Sequence, residues 1–376
     1  MIGILSVKTF NYGSLLQTYA LQKYITKLGY ENEIINYIKT NKVNQALRLL
    51  YLPLFMDTIR QSLVKLFKTK RHPYASALIK NRNEAFAKFL EEYIYQSKAY
   101  YGRKSLINGV KKYTEILLGS DQIWHPFNYG AHFFDMSFVP DGIKKVAYAP
   151  SFGVSTIPNY QKKGMSRSIC RIDSLSVREY SGRKLIKELC GRDATIVSDP
   201  TMLLTKEDWA EIMTERLIPD NYIFCYFIGD NKYHREFAYN LSKKTGLMIV
   251  NLPHIYCYQN VDDGFGDYQP RNVGPREFIS LIANATYVCT DSFHGSVFSI
   301  MCEKEFFTFE RFSNNKMSAN SRLNTLFEKV GVTGRLLSKS ISADKALCLP
   351  RIDYEIVRHN LDEFRSFSQN WLKENI

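Results

Sequence analysis

The residues best suited to chemistry fall in short clusters, the sharpest being Thr290 to Phe307, TDSFHGSVFSIMCEKEFF. An apolar run there breaks into a Ser/His/Gly turn and then enters an apolar helix, a geometry that presents backbone N–H groups to an anion. His294 stands at the predicted strand's carboxyl end, with Ser292, Gly295 and Ser296 around it. An imidazole titrates near neutrality and can give or take a proton, and Gly295 lets the backbone approach a ligand closely. The competing reading is a histidine that caps the following helix and binds only protein. A second strand end, SLSVREYSGRKLI, carries Arg178. Its guanidinium can grip a phosphate or carboxylate through two parallel hydrogen bonds, or else pair with Glu179 at the surface for little gain.

In LLGSDQIWHPF, Asp121 and Gln122 offer a carboxylate and an amide to vicinal hydroxyls, and Trp124 offers a flat apolar wall. Carbohydrate sites use that combination, although Trp124 can equally be core. Asn11 and Tyr12, in the turn Asn11-Tyr12-Gly13-Ser14, give a weaker signal. Neither GxGxxG nor a P-loop pattern is present, so no dinucleotide or ATP site is indicated.

These clusters require strands that end where helices begin. Ile2 to Val7 is a short apolar run before the Asn11 turn, and the helix after it repeats apolar residues at Leu21, Tyr24, Ile25 and Leu28 before Gly29 stops it. Further strands are predicted at 33–37, 114–118, 145–148, 174–177 and 195–197, then at 222–227, 248–252 and 287–290. Helices are predicted over 232–244 and from Gly274-Pro275 onward, and residues 354–375 form a terminal amphipathic helix. The pattern predicts an α/β protein of two Rossmann-like lobes facing a cleft. The first spans 1–204 and takes the acceptor, with a helical insertion at about 40–110; the second spans 205–350 and takes the donor. Residues 351–376 pack back toward the first lobe.

Composition narrows the class. The chain has 376 residues, 45% hydrophobic, with a formal charge of +13. Between Lys39 and Arg82 ten basic residues face one acidic residue, Asp57, among leucines and phenylalanines. Three readings fit: an ordinary solvated helical insertion, a surface that approaches anionic lipid, or nucleic-acid binding. No DNA or RNA motif accompanies the charge, and no nucleic-acid partner is expected. No apolar run approaches the ~18 residues of a membrane span, and the first residues lack a signal-peptide pattern, so a cytoplasmic protein is expected. The seven cysteines form no CxxC pair and read as reduced thiols, not a zinc site.

The ordered set NYGSLLQTYALQ, GSDQIWHP, KVAYAPSFGVS, SLSVREYSGR, VSDPTMLL, GPREFISLIANATYVCTDSFHGSVFSI and SRLNTLFEKVG resembles the polysaccharide pyruvyl transferase family. The resemblance implies a fold similar to the GT-B glycosyltransferases. It also implies transfer of a pyruvyl group from phosphoenolpyruvate to a sugar of a cell-surface polysaccharide (capsule or exopolysaccharide) or its precursor, as a ketal. The family's SVRE arginine falls on Arg178 and its histidine before glycine on His294. Characterised members commonly carry Arg two places before that histidine, where this chain has Ser292; Arg322 is the candidate replacement. On this reading His294 and Asp121 are catalytic. Arg178, Ser292, Gly295, Ser296 and Arg322 hold the donor, and Asn11, Tyr12, Gln122 and Trp124 hold the acceptor, a sugar or lipid-linked glycan. No metal or cofactor is implied beyond phosphoenolpyruvate as substrate, and residues 39–82 supply a peripheral contact with the inner membrane face. A nucleotide-sugar glycosyltransferase on the same fold and a non-catalytic family member are the alternatives.

Overall fold

The computed structural model describes residues 1–38, 73–129, 133–253, 260–311, 320–338 and 341–376. Its first lobe holds strands β1 (Ile2–Leu5), β2 (Asn32–Ile34), β5 (Glu115–Leu118), β6 (Lys144–Ala147), β7 (Ser174–Val177) and β8 (Thr195–Ile196), after a small ladder of β3 (Tyr37–Ile38) with β4 (Tyr100–Tyr101). The six pair in the order β2-β1-β5-β6-β7-β8, each pair parallel. The second lobe holds β9 (Tyr222–Tyr226), β10 (Met248–Asn251), β11 (Tyr287–Thr290), β12 (Glu305–Phe309) and β13 (Leu336–Leu337), in the parallel order β10-β9-β11-β12-β13. Parallel strands with helical crossovers are covered on both faces, which is why runs such as EILL and YIFCY are buried at every position.

Each sheet reverses its winding once, between β1 and β5 in the first lobe and between β9 and β11 in the second. Ligands in doubly wound sheets gather at the carboxyl ends beside such reversals. The residues just beyond those ends are Ser6 to Lys8, Ser120 to Gln122, Ile228, and Asp291 to His294, and the site forms among them.

The helix Tyr12–Lys27 begins where Asn11 accepts the Ser14 N–H at 3.2 Å, and Gly29 at φ +86° turns the chain out of it. Its first residues join the lobes. Tyr12 is wholly buried, stacks on Phe278 at 4.6 Å and donates its hydroxyl to the Val273 carbonyl at 2.9 Å. Phe86, Tyr226, Trp209 and Phe298 extend this aromatic seam, so one apolar core runs through both lobes. The terminal helix Tyr354–Asn375 crosses the back. Tyr354 bonds to the Lys304 carbonyl of the second lobe, while Arg365 and Gln369 bond to the Met202 and Leu203 carbonyls.

Within the insertion, the described part comprises the helix Pro73–Tyr93, strand β4 and the helix Gly102–Gly109. Most of the basic stretch, 39–72, lies outside the described residues. At its far end Arg82 is buried and donates to the Pro253 carbonyl at 3.1 Å, which removes that residue from any lipid-facing surface. Among the described residues, six cysteines are free and no helix is long and apolar enough to cross a membrane.

Candidate active site

A cavity of about 490 Å³ opens between the lobes. From the first lobe Lys8, Asn11, Ser14, Asp121 and Gln122 reach it; from the second, Ile228, Ser292, His294, Arg311 and Arg322. Phe133 and Phe134 add an apolar wall.

His294 sits in the first turn of the helix Phe293–Met301, straight after β11. Two residues of the opposite lobe fix its ring. Asp199 Oδ2 lies 3.4 Å from Nε2, within ion-pair reach though not in a formed hydrogen bond. On the other side is Gly13, where a Cβ would stand 2.0 Å from Nδ1. Only a residue without a side chain permits this approach, so the glycine in the Asn11 turn is there for the histidine. Sequence reading missed both contacts, because Asp199-Pro200 reads as a turn and Gly13 as helix-start punctuation.

Asp199 is itself clamped. Its Oδ1 accepts from the Thr201 N–H at 3.0 Å and hydroxyl at 2.7 Å, and its Oδ2 accepts from Arg178 NH1 at 2.5 Å. Burial opposes its charge, but His294, Arg178 and the Thr201 N–H together hold the carboxyl far below the usual carboxylate range. Arg178 is nearly inaccessible, lies 4.3 Å from the Phe293 ring and is not on the cavity wall. The residue expected as a donor ligand thus pairs with Asp199, with Asp121 at 3.8 Å and Glu179 at 4.0 Å as further counter-charges.

Asp121 does face the cavity. It adopts φ +73°, the left-handed region that Asp tolerates better than most residues at some cost in strain, and its carboxylate accepts the Ser14 hydroxyl at 2.6 Å and the Gln122 N–H at 2.8 Å. Burial pushes its pKa up, but His294, Arg178 and Ser14 outweigh it and leave the carboxyl below its ordinary value. Such a group orients a hydroxyl better than it removes a proton.

Ser292 lines the cavity, whereas Gly295 and Ser296 lie behind it in the helix. The Ser292 hydroxyl accepts the Gly295 N–H at 3.2 Å as helix cap, and its carbonyl takes the Ser296 N–H at 3.0 Å. Gly295 packs on Thr290, and the buried Ser296 hydroxyl meets Thr308 at 2.8 Å. The N–H groups of Gly295 and Ser296, which follow His294, are thus consumed within the helix. Tyr12 and Trp124, expected as acceptor ligands, are buried: Tyr12 belongs to the seam, and Trp124 packs on Phe152 at 5.2 Å. Asn11 and Gln122 line the cavity, Asn11 while capping its helix.

The missing cation at position 292 has replacements in space. Arg322, in the first turn of the helix Asn320–Val330, lines the cavity beside Phe293 and gives both terminal nitrogens to the Gln122 amide oxygen at 2.7 and 2.8 Å, once that amide is turned to satisfy the network. Burial and then the nearby Arg178 charge lower its pKa to about 9, so it stays charged at neutral pH but under-compensated. Burial and the same Arg322 charge push His125 down to about 4. Arg311, after β12, also lines the cavity, with its terminal nitrogen on the Asp291 carbonyl at 2.9 Å. The cavity therefore favours an anion, and Arg311, outside the motifs read in the sequence, is a cation that sequence reading missed.

Two doubly wound sheets meeting at their reversal points, with a polar cavity whose histidine is held from the far lobe, define a two-lobed GT-B-type protein. Two solved structures share this fold: the putative UDP-N-acetylglucosamine 2-epimerase of Listeria monocytogenes (TM-score 0.54, 10% identity, covering 98% of this chain and 94% of that one) and the UDP-GlcNAc 2-epimerase of Neisseria meningitidis bound to UDP-GlcNAc (TM-score 0.52, 8% identity, 98% and 93%). Identities this low establish the fold alone. A search of curated proteins gives no match. The family model described as polysaccharide pyruvyl transferase matches residues 11–314, and the chain belongs to that family of transferases, whose members act in polysaccharide modification.

Proposed function

We propose that this protein transfers the pyruvyl group of phosphoenolpyruvate to two hydroxyls of one sugar as a ketal, releasing phosphate. The observation that carries the reading is His294, aligned from the opposite lobe by Asp199 and Gly13 in a cavity bordered by Arg322 and Arg311. Protonation of the enol methylene makes a methyl group and leaves a cationic carbon. One sugar hydroxyl adds there and loses its proton. The second hydroxyl then displaces phosphate, and its proton leaves with the phosphate, so the sum is diol plus phosphoenolpyruvate giving ketal plus phosphate. His294 carries a proton in this scheme, and Asp199 stabilises the imidazolium as it forms. Arg322 and Arg311 hold the carboxylate and phosphate through charge-assisted bonds. Asp121 accepts from an acceptor hydroxyl and fixes its direction.

Lipid-linked acceptors and membrane contact through residues 39–82, the buried Arg82 apart, form part of the same proposal. Release of the protein from anionic vesicles by salt tests that part.

The central test is phosphate release from phosphoenolpyruvate, followed with and without sugars, alongside calorimetry with phosphoenolpyruvate and with UDP-sugars. Binding of phosphoenolpyruvate and sugar-dependent phosphate release, both lost or reduced in His294→Ala, support the reading. Tight binding of a UDP-sugar with no affinity for phosphoenolpyruvate favours a glycosyltransferase, and turnover with neither leaves a binding protein.

A further inference from the structure

The donor reading accounts for the cations of the second lobe and leaves one on the first. Among the described residues lining the cavity, Lys8 is the cation that the first lobe contributes, three residues beyond the end of β1 at the sheet reversal. Its ammonium donates to Asn36 Oδ1 at 2.7 Å and to Gln96 Oε1 at 2.9 Å. Both partners are neutral, and among the described residues no carboxylate pairs with it. An ammonium has three donors, so two amide oxygens leave one N–H for another acceptor.

A lysine is a costly way to tie two amides together, because half-burying its charge without a counter-ion costs free energy that a neutral side chain would avoid. Burial does lower its pKa, to about 8. The neighbours in the cavity suit a sugar: Asn11 and Thr9 are polar, and Phe133, braced by Tyr37 at 5.3 Å, and Phe134 supply apolar surface.

We propose that Lys8 forms an anion subsite on the acceptor side of the cavity, so that the acceptor is an acidic sugar bearing a carboxylate or a phosphate near its reacting hydroxyls. The inference rests on the pyruvyl-transfer reading only for which ligand occupies the second lobe. Carboxylate and phosphate share the recognition chemistry, and the probes separate them.

Calorimetry on the full chain with galactose, galacturonate and galactose 1-phosphate, each with and without phosphoenolpyruvate, tests it. The expected result is at least about tenfold tighter binding of one or both acids than of galactose, a preference lost in Lys8→Met and partly kept in Lys8→Arg, with phosphoenolpyruvate affinity within about twofold throughout. The acid that shows the preference identifies the group. Thermal unfolding confirms that the variants are folded, and the arginine variant separates lost charge from disturbed structure. Equal binding of all three sugars, failure of both acids to bind at millimolar concentration, or a preference that survives Lys8→Met overturns the proposal. So does a variant that loses phosphoenolpyruvate and keeps the sugar preference, since Lys8 then belongs to the donor. If phosphoenolpyruvate fails to bind the wild type while the Lys8-dependent preference persists, the donor reading falls and the anion subsite stands.

Discussion

Replacing Gly13 with Ala adds one methyl group and should disable the site. The backbone at Gly13 is not in the left-handed region, and Ala is a better helix former by about 1 kcal/mol, so local structure favours the change. The obstacle is tertiary. The new Cβ would lie 2.0 Å from His294 Nδ1 and 2.4 Å from its Cγ, where ordinary contact needs about 3.5–4 Å. The ring or the helix must therefore move by about 1.5 Å. Overpacking of this kind costs roughly 1–3 kcal/mol, and a misplacement near 1 Å at a reacting group can cost about a hundredfold in rate. The assay is a double-mutant cycle by thermal or urea unfolding, joined to phosphate release. Gly13→Ala should lower stability in the wild type, and should be neutral or stabilising by up to about 1 kcal/mol in His294→Ala, where the ring is gone. Equal destabilisation in both backgrounds, or full activity in Gly13→Ala, would refute the claim that the glycine exists to seat the histidine.

Other substitutions probe the remaining links. Asp199→Asn keeps the shape of the clamp and loses its charge, and phosphate release should fall by about a hundredfold or more with the protein still folded. Arg178→Lys retains a cation but breaks the grip on Asp199; kcat and stability should drop while phosphoenolpyruvate affinity in calorimetry holds within about twofold. Arg322→Gln, by contrast, should weaken that affinity by about 1.5–3 kcal/mol, and unchanged binding removes Arg322 from the donor site. Glu115, buried on β5 with one oxygen lacking a partner, has its pKa raised to about 7 by burial first of all. An acid whose folded pKa is raised binds its proton more tightly when folded, so its stability cost grows as pH rises from the unfolded value near 4.5 to about 7. Glu115→Gln should accordingly stabilise the protein by roughly 1–3 kcal/mol at pH 8 and by almost nothing at pH 4, read from urea midpoints.

The chain order of strands and helices was legible because parallel sheets bury whole strands, so runs such as SLSV and YIFCY stand out from their polar turns, and Gly29 and Pro275 mark helix ends by local conformational preference. The terminal helix was visible for the same local reason, its apolar residues repeating along one face. His294, Asp121 and Arg322 were legible as residues at element ends. Which of the neighbouring polar groups face a ligand was not. Ser292, Gly295 and Ser296 look like an anion cradle in sequence, yet Ser292 itself takes the N–H groups of Gly295 and Ser296, a choice made by the geometry of one helical turn. Tyr12 and Trp124 could have been walls or core, and the packing of the seam and of Phe152 sent both inward. The partners of His294 come from 95 and 281 residues away in the chain, Asp199 and Gly13, and no local pattern encodes a contact across two lobes. That contact exists because the two sheets present their carboxyl ends to one cleft, and only the closed packing of the aromatic seam brings those ends within reach of each other.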